Sequence, residues 1–332
     1  MSPGPSLIRS AVVLPSRQAL EQAARLVHQV MPPTPQICWP LLGQWLGAEV
    51  WVKHENHTAL GAFKVRGGIV YFDELMRREP ALTGVIAATR GNHGQSIAFA
   101  AQRHRLKAVI VAPRGNSREK NAAMRARGVE LIEQGEDFQA ALEEAARLGA
   151  ERGLHFVPSF HPDLVAGVAS YSLELLTAVP DLAALYVPVG LGSGICGAIA
   201  VRDALGLATE IIGVTAAAAP AYADSFAAGR PLAREVGPTI ADGMACRVPD
   251  PQALEIIQRG AARIVAVDEA EIRTAMRHFF TDTHNIAEGA GAAPLAALAQ
   301  ERDRMRGRKV AVVQSGGNID RTVFAAILAG ND

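Results

Sequence analysis

The sequence predicts an α/β protein whose largely parallel sheets are covered by helices on both faces. Two observations predict it directly. Short apolar runs alternate with amphipathic stretches along most of the chain, and several turns between them are rich in Gly, Ser, Thr and Asn. A third is bulk: 332 residues with 49% hydrophobic content are ample for one large or two ordinary domains.

The elements follow in order. A proline-rich MPPTPQ (31–36) reads as a turn between an N-terminal helix and the first strand. AEVWVKHE (48–55) reads as a strand and AFKVRGGIVYFDELMRRE (62–79) as a helix. TGVIAA (83–88) leads through TRGNHG into the helix QSIAFAAQRHR (95–105). KAVIVAP (107–113) precedes SREKNAAMRARG (117–128), and VELIEQ (129–134) precedes EDFQAALEEAARLGAERG (136–153). The alternation resumes with ALYVPVG (184–190) and SGICGAIAVRDALG (193–206), then EIIGVTA (210–216), ARIVAVD (262–268) and EAEIRTAMRHFF (269–280). It ends with RKVAVVQ (308–314), SGGN and IDRTVFAAILAG (319–330). Unbroken apolar strands between helices are what a sheet buried on both faces requires.

Charge and cysteine narrow the function. Lys plus Arg and Asp plus Glu stand at 33 each, so the formal net charge is zero, and no basic run is long enough to form a patch. Neither nucleic acid nor an anionic membrane is expected as a partner. Cys38, Cys196 and Cys246 lie far apart with no CxxC pair, which argues against a disulfide framework or zinc site and fits a reducing cytosol. The N-terminal MSPGPSLIRSAVVLPSR has only a short apolar stretch and lacks the core of a signal peptide. No run approaches the roughly 18 apolar residues of a membrane span.

Four stretches carry candidate chemistry. In GAFKVRGG (61–68) a single lysine, Lys64, sits among small residues where a helix begins. The positive end of the helix dipole disfavours its charged form, and a neutral amine can form a Schiff base with an aldehyde. A solvated lysine at a helix start is the plainer reading of these residues alone. Arg66 points to another face. In ATRGNHGQS (88–96) glycines let backbone approach a ligand while Asn92 offers an amide and His93 a ring; an ordinary Asn-capped turn is the alternative. PVGLGSGICG (188–197) sets four glycines and a serine before a helix, the composition of a phosphate cradle. It also resembles a dinucleotide loop, but no glycine-rich turn follows the first strand and no placed ribose carboxylate follows this one, which discounts NAD. In VVQSGGN (312–318) a strand ends on Ser315, whose hydroxyl can meet a ring nitrogen or cap a helix.

Taken together and in this order, the lysine of GAFKVRGG, the GNHG turn, the glycine loop before a helix and the terminal SGGN closely resemble the fold-type II pyridoxal-phosphate enzymes. Within them they resemble the serine/threonine dehydratase and serine racemase branch, from about Thr34 onward. TIADGM (239–244) and AEGAGAAPLAAL (287–298) match that branch as well. The resemblance implies two open, mostly parallel, twisted sheets flanked by helices, as in tryptophan synthase beta. It implies a larger cofactor-binding domain from residues 1–74 and 158–332, a smaller mobile domain from 75–157, and a cytoplasmic homodimer.

By the same resemblance, Lys64 carries pyridoxal 5'-phosphate and later removes the Cα proton. Backbone N–H groups of Gly190, Leu191, Gly192, Ser193 and Gly194 cradle the phosphate. Asn92 meets the cofactor's 3-hydroxyl, Ser315 its ring nitrogen, and Phe63 walls the ring. The turn Thr89, Arg90, Gly91, Asn92 and His93 binds the substrate carboxylate. A neutral hydroxyl at Ser315 makes the ring a weaker electron sink than a carboxylate would, which favours prompt loss of a β-hydroxyl. The implied reaction is dehydrative deamination of an L-3-hydroxy amino acid, such as threonine or serine, with Lys64 as base and the cofactor phosphate as acid. A dehydratase for a bulkier or anionic β-hydroxy amino acid is a second reading, and a cofactor-binding carrier or sensor without turnover is a third.

Three departures from the branch stand out. Arg90 replaces the usual small residue before GNHG; an arginine is a poor acid/base, which argues against racemisation and leaves two readings, recognition of an anionic or large β-substituent or a side chain turned to solvent. Ala217 and Ala221 stand where racemase-like members carry a cation-binding carboxylate pair, so no metal is expected there. The glycine loop has Leu191 and Ser193 in place of two glycines, and backbone donors preserve its function. A regulatory domain after SGGN is not expected.

Overall fold

The computed structural model describes residues 14–330, so most of the N-terminal segment considered above for a leader lies outside the described residues. The strands are β1 (Gln36–Cys38), β2 (Glu49–His54), β3 (Gly84–Ala88), β4 (Lys107–Ala112), β5 (Glu130–Glu133), β6 (His155–Phe156), β7 (Ala184–Pro188), β8 (Glu210–Ala216), β9 (Arg263–Val267) and β10 (Lys309–Gln314). The helices through the first half are α1 (Arg17–His28), α2 (Pro40–Leu46), α3 (Lys64–Arg78), α4 (Asn92–Arg103), α5 (Arg118–Arg125), α6 (Phe138–Arg152) and α7 (Pro162–Ala178). Those of the second half are α8 (Ser193–Ala204), α9 (Ala221–Ala228), α10 (Pro251–Gly260), α11 (Glu269–Thr283), α12 (Gly289–Gln300), α13 (Arg302–Met305) and α14 (Arg321–Leu328).

Two sheets result. The larger has six strands in the order β1-β2-β10-β7-β8-β9, parallel except for the antiparallel pair β1 and β2. The smaller has four parallel strands in the order β5-β4-β3-β6. This is the doubly covered, mostly parallel architecture that the alternation predicts. Strand periodicity divides the larger sheet's core cleanly. Val50, Val52, Tyr186, Val310 and Val312 pack on one face, while Leu185, Val187, Ala311 and Val313 pack on the other. The short β1 and the helix α2, which the sequence reading does not separate, lie between the proline-rich turn and β2.

Local chemistry sets the helix starts. Ser16 accepts from the Ala19 N–H at the head of α1, Asp137 from Ala140 at the head of α6, and Asp268 forms a capping box with Glu271 at α11. α3 begins at Lys64 itself. The two glycines that follow serve helix packing rather than ligand approach. A Cβ on Gly68 would lie 2.3 Å from Ser96 Oγ in α4, and one on Gly67 would lie 3.0 Å from the Leu164 carbonyl in α7. Ser96 Oγ in turn donates to the Lys64 carbonyl at 2.7 Å, fixing the first turn of α3. The carboxyl ends of β3, β7 and β10, at Ala88, Pro188 and just before Ser315, open toward one region, where an open parallel sheet places its ligands.

Candidate active site

Every residue singled out as a site candidate in the sequence lines a single cavity of about 980 Å³. Lys64 lies on its wall, with Nζ donating to Ser193 Oγ at 3.3 Å and sitting 4.7 Å from the centre of the Phe63 ring. Withdrawal from water lowers its pKa to about 8, against the opposing pull of the Glu288 carboxylate. Burial thus adds a cause of deprotonation beyond the helix start. Phe63 is steadied by an edge contact with Tyr171, ring centres 6.0 Å apart.

The turn that carries the lysine is stitched to the SGGN turn. Phe63 N–H donates to the Ser315 carbonyl at 3.0 Å, and Gly317 N–H to the Gly61 carbonyl at 2.9 Å. Asn318 Nδ2 donates to the Leu60 carbonyl and to Asn92 Oδ1, both at 2.8 Å. Ser315 is buried at the end of β10, and its hydroxyl has no hydrogen-bond partner among the described residues.

The glycine loop enters α8 with Gly192 in the left-handed region at φ 97°. A Cβ on Gly190 would meet the Gly243 carbonyl at 2.3 Å, and one on Gly192 would meet Ala253 Cβ at 2.7 Å, so both positions exclude a side chain. Tyr222 Oη donates to the Leu191 carbonyl at 3.1 Å and pins the loop. The first N–H groups of α8 have no intrahelical acceptor and so are free to bind an anion.

In the β3–α4 turn, Thr89 Oγ1 accepts from the N–H groups of Gly91 (2.9 Å) and Gly94 (3.2 Å). The N–H groups of Asn92 and His93, the first of α4, remain without an intrahelical acceptor. Asn92 is more committed than its sequence suggests: Nδ2 donates to Glu288 Oε1 at 2.6 Å while Oδ1 accepts from Asn318, leaving one amide hydrogen for a ligand. Burial, then the Lys64 charge, lowers His93 to a pKa of about 3, so its ring is neutral, and its Nε2 is buried without a partner. Arg90 is half-buried in the cavity wall.

Three further residues belong to this site. Lys120 of α5 is buried and pairs with Asp242 at 2.7 Å and Glu288 at 3.2 Å. Burial works against its ammonium, but the two carboxylates outweigh it and hold its pKa above the usual range. Burial also raises Glu288, against the pull of Lys120. The signal for Glu288 was present: one carboxylate heading the apolar run AEGAGAAPLAAL is costly unless paired. Asp242 lies within TIADGM, whereas Lys120 looks like any lysine of an amphipathic helix.

Arg66 of α3 faces away from the cavity, as its spacing from Lys64 predicts. Its guanidinium, fully buried, pairs with Glu55 at 2.7 Å and Glu174 at 2.6 Å, and Lys53 completes the group at 2.6 Å from Glu174. Elsewhere, Ala217 N–H serves the sheet by donating to the Val267 carbonyl, and the nearby Asp224 is engaged by Arg234 at 2.5 Å. The three cysteines are free thiols, and no helix among the described residues is long and apolar enough to cross a membrane.

A poised amine, an anion cradle and an unpartnered hydroxyl around one cavity fit a ligand with an aldehyde, a phosphate and a ring nitrogen. Comparison with known proteins agrees. Residues 27–316 match the family model described as pyridoxal-phosphate dependent enzyme. The chain is 34% identical to an L-threonine ammonia-lyase of Thermotoga maritima, over 93% of this chain and 77% of that protein. It is 29% identical to an L-threo-3-hydroxyaspartate ammonia-lyase of Saccharomyces cerevisiae, over 97% of this chain and 98% of that one. Its fold matches the processed form of threonine deaminase isoform 2 from Solanum lycopersicum with a TM-score of 0.86 at 27% identity, covering 98% of this chain and 99% of that one. The extent of these matches, with the geometry that precedes them, places the chain among the pyridoxal-phosphate dependent enzymes.

Proposed function

We propose that the chain catalyses dehydrative deamination of an L-3-hydroxy amino acid, such as L-threonine or L-serine, to a 2-oxo acid and ammonia. The observation that carries this reading is the pairing, in one cavity, of a deprotonation-prone Lys64 with a neutral hydroxyl at Ser315. When bound, pyridoxal 5'-phosphate supplies the sink for the electron pair released at Cα. Lys64 Nζ holds the cofactor and moves the Cα proton. The N–H groups from Gly190 to Gly194 hold the phosphate, with Leu191 and Ser193 contributing backbone donors as well as the glycines. Asn92 offers its remaining amide hydrogen to the 3-hydroxyl, Ser315 a neutral hydrogen bond to the ring nitrogen, and Phe63 a wall. The turn from Thr89 to His93 orients the substrate carboxylate, chiefly through the N–H groups at the head of α4. Water is lost from the substrate and regained when the enamine product hydrolyses, releasing ammonia.

The ammonia-lyase relatives support a hydroxyl leaving group. We further propose that residues 75–157 move as a unit against 1–74 and 158–332, and that the enzyme is a cytoplasmic homodimer. The test of function is a panel of 3-hydroxy amino acids with 2-oxo acid as readout, coupled to borohydride trapping and peptide mass spectrometry. Product from at least one member and a label on Lys64 are expected. Absence of product from all, or a label on another lysine, overturns the reading.

A further inference from the structure

Arg90 lies in the turn between β3 and α4 and forms part of the cavity wall. The other cationic side chains there are accounted for. Lys120 is held by Asp242 and Glu288, Arg247 by Asp137 at 2.9 Å and Glu235 at 3.2 Å, and Lys64 contacts Ser193. The cavity's carboxylates are equally committed, since Asp250, the remaining one, accepts from Gln252 and Ala253 N–H at the head of α10. Arg90 alone among the cavity's guanidinium groups has no acceptor among the described residues. Its Nε is shut away from water without a partner. Three residues on, His93 Nε2 is in the same condition on a side chain only 9% exposed.

A guanidinium stays charged at any working pH, and its planar fork matches a carboxylate. Leaving its buried N–H unmatched is costly, so a ligand that supplies the acceptor is favoured. Two anions already have donors: the cofactor phosphate at the head of α8, and the substrate α-carboxylate at the head of α4. From this arithmetic of charges we infer that Arg90 receives a second carboxylate, carried on the β-carbon of the substrate. The enzyme then selects 3-hydroxy amino dicarboxylic acids over threonine and serine. This deepens the dehydrative-deamination reading and rests on it.

The test compares holoenzyme of wild type, Arg90→Gln and Arg90→Lys on L-threo-3-hydroxyaspartate and L-threonine, with kcat/KM from 2-oxo acid release. Wild type is expected to favour the dicarboxylate. The hydroxyaspartate-to-threonine ratio is expected to fall by about 10- to 100-fold in Arg90→Gln, the scale of one lost charged hydrogen bond. Arg90→Lys, which keeps the charge and loses the fork, is expected to fall between. A second readout needs no turnover: L-aspartate has no leaving hydroxyl, and its thermal stabilisation of wild type should exceed that by L-alanine, an excess that Arg90→Gln removes. A wild type that prefers threonine, or a ratio indifferent to both substitutions, overturns the assignment of Arg90. If no 3-hydroxy amino acid is turned over, the reaction reading fails, and the aspartate–alanine comparison still decides whether Arg90 binds a second carboxylate.

Discussion

Phe63 and Ser315 share a backbone hydrogen bond of 3.0 Å, although they come from the first and last thirds of the chain. The bond sets the residue before Lys64 beside the strand end that carries the Ser315 hydroxyl. The position of Lys64 is therefore fixed by β10 as much as by its own helix.

Replacing Lys64 by Ala should lower 2-oxo acid formation by at least about 10³-fold, because in the proposed function one group is both attachment point and base. With a pKa of about 8, roughly a tenth of the amine is neutral at pH 7, against about one in 3,000 for an ordinary lysine. The rate at which apoprotein takes up cofactor should rise close to tenfold per pH unit below 8 and level off above it, as followed by absorbance. The lowered value also fixes a sign for stability. Between about pH 8 and 10.5 the unfolded chain binds more protons at this site than the folded one, so apoprotein stability should rise across that window and Lys64→Met should remove the rise.

Gly190→Ala would drive a methyl group into the Gly243 carbonyl, a contact of 2.3 Å between two backbone segments that cannot rotate away. Cofactor affinity, measured by absorbance titration, should weaken by about tenfold or more, as displacing a cradle N–H forfeits a charge-assisted hydrogen bond. Retention of wild-type affinity would show that the loop does not hold the phosphate.

The buried group around Arg66 predicts an acid limb. Burial opposes ionisation of Glu174, but Arg66 and Lys53 outweigh it and lower its pKa to about 2 from an ordinary 4.5. Its contribution, about 3 kcal/mol, is fully present above pH 4.5 and lost as pH falls toward 2. Urea unfolding at stepped pH should show this loss in wild type and a flatter profile in Glu174→Gln. Arg66→Met should cost about 3–5 kcal/mol at neutral pH, because Glu55 and Glu174 are left buried without their partner.

Lys120 joins the two sheets' sides of the cavity, through Asp242 and Glu288. In Lys120→Met, Glu288 loses the cation that opposes its burial and Asn92 loses a charged partner for its amide. A kcat reduction of about 10- to 100-fold is expected, with faster protease cutting between residues 75 and 157. Equal cutting in variant and wild type would count against a joint that Lys120 keeps closed.

Much of the fold was legible because strands buried on both faces are written as plain apolar runs, as in KAVIVAP and RKVAVVQ. Helix α7 and helix α12 are not recognisable as helices in the sequence: both are apolar nearly all round, so no polar face marks their period. β1 and β6, of three and two residues, are too short for alternation to show. In the site, Lys64, the GNHG turn, the glycine loop and Ser315 stood out because small residues punctuate them. The roles of Glu288, Asp242 and Lys120 did not, since each depends on a partner brought in by tertiary packing from another segment. Asn92 illustrates the gap well: the sequence offers a free amide, and the fold spends half of it on Glu288 and Asn318.

β10 lies in the interior of the larger sheet, between β2 and β7. During synthesis those two neighbours emerge first and cannot pair across the gap, so their apolar flanks wait exposed until the last strand of the described chain leaves the ribosome. The order of strands thus lengthens the time for which unpaired strand edges stand open during folding. A cavity that needs Ser315 and Asn318 likewise waits for β10, because both residues follow that strand.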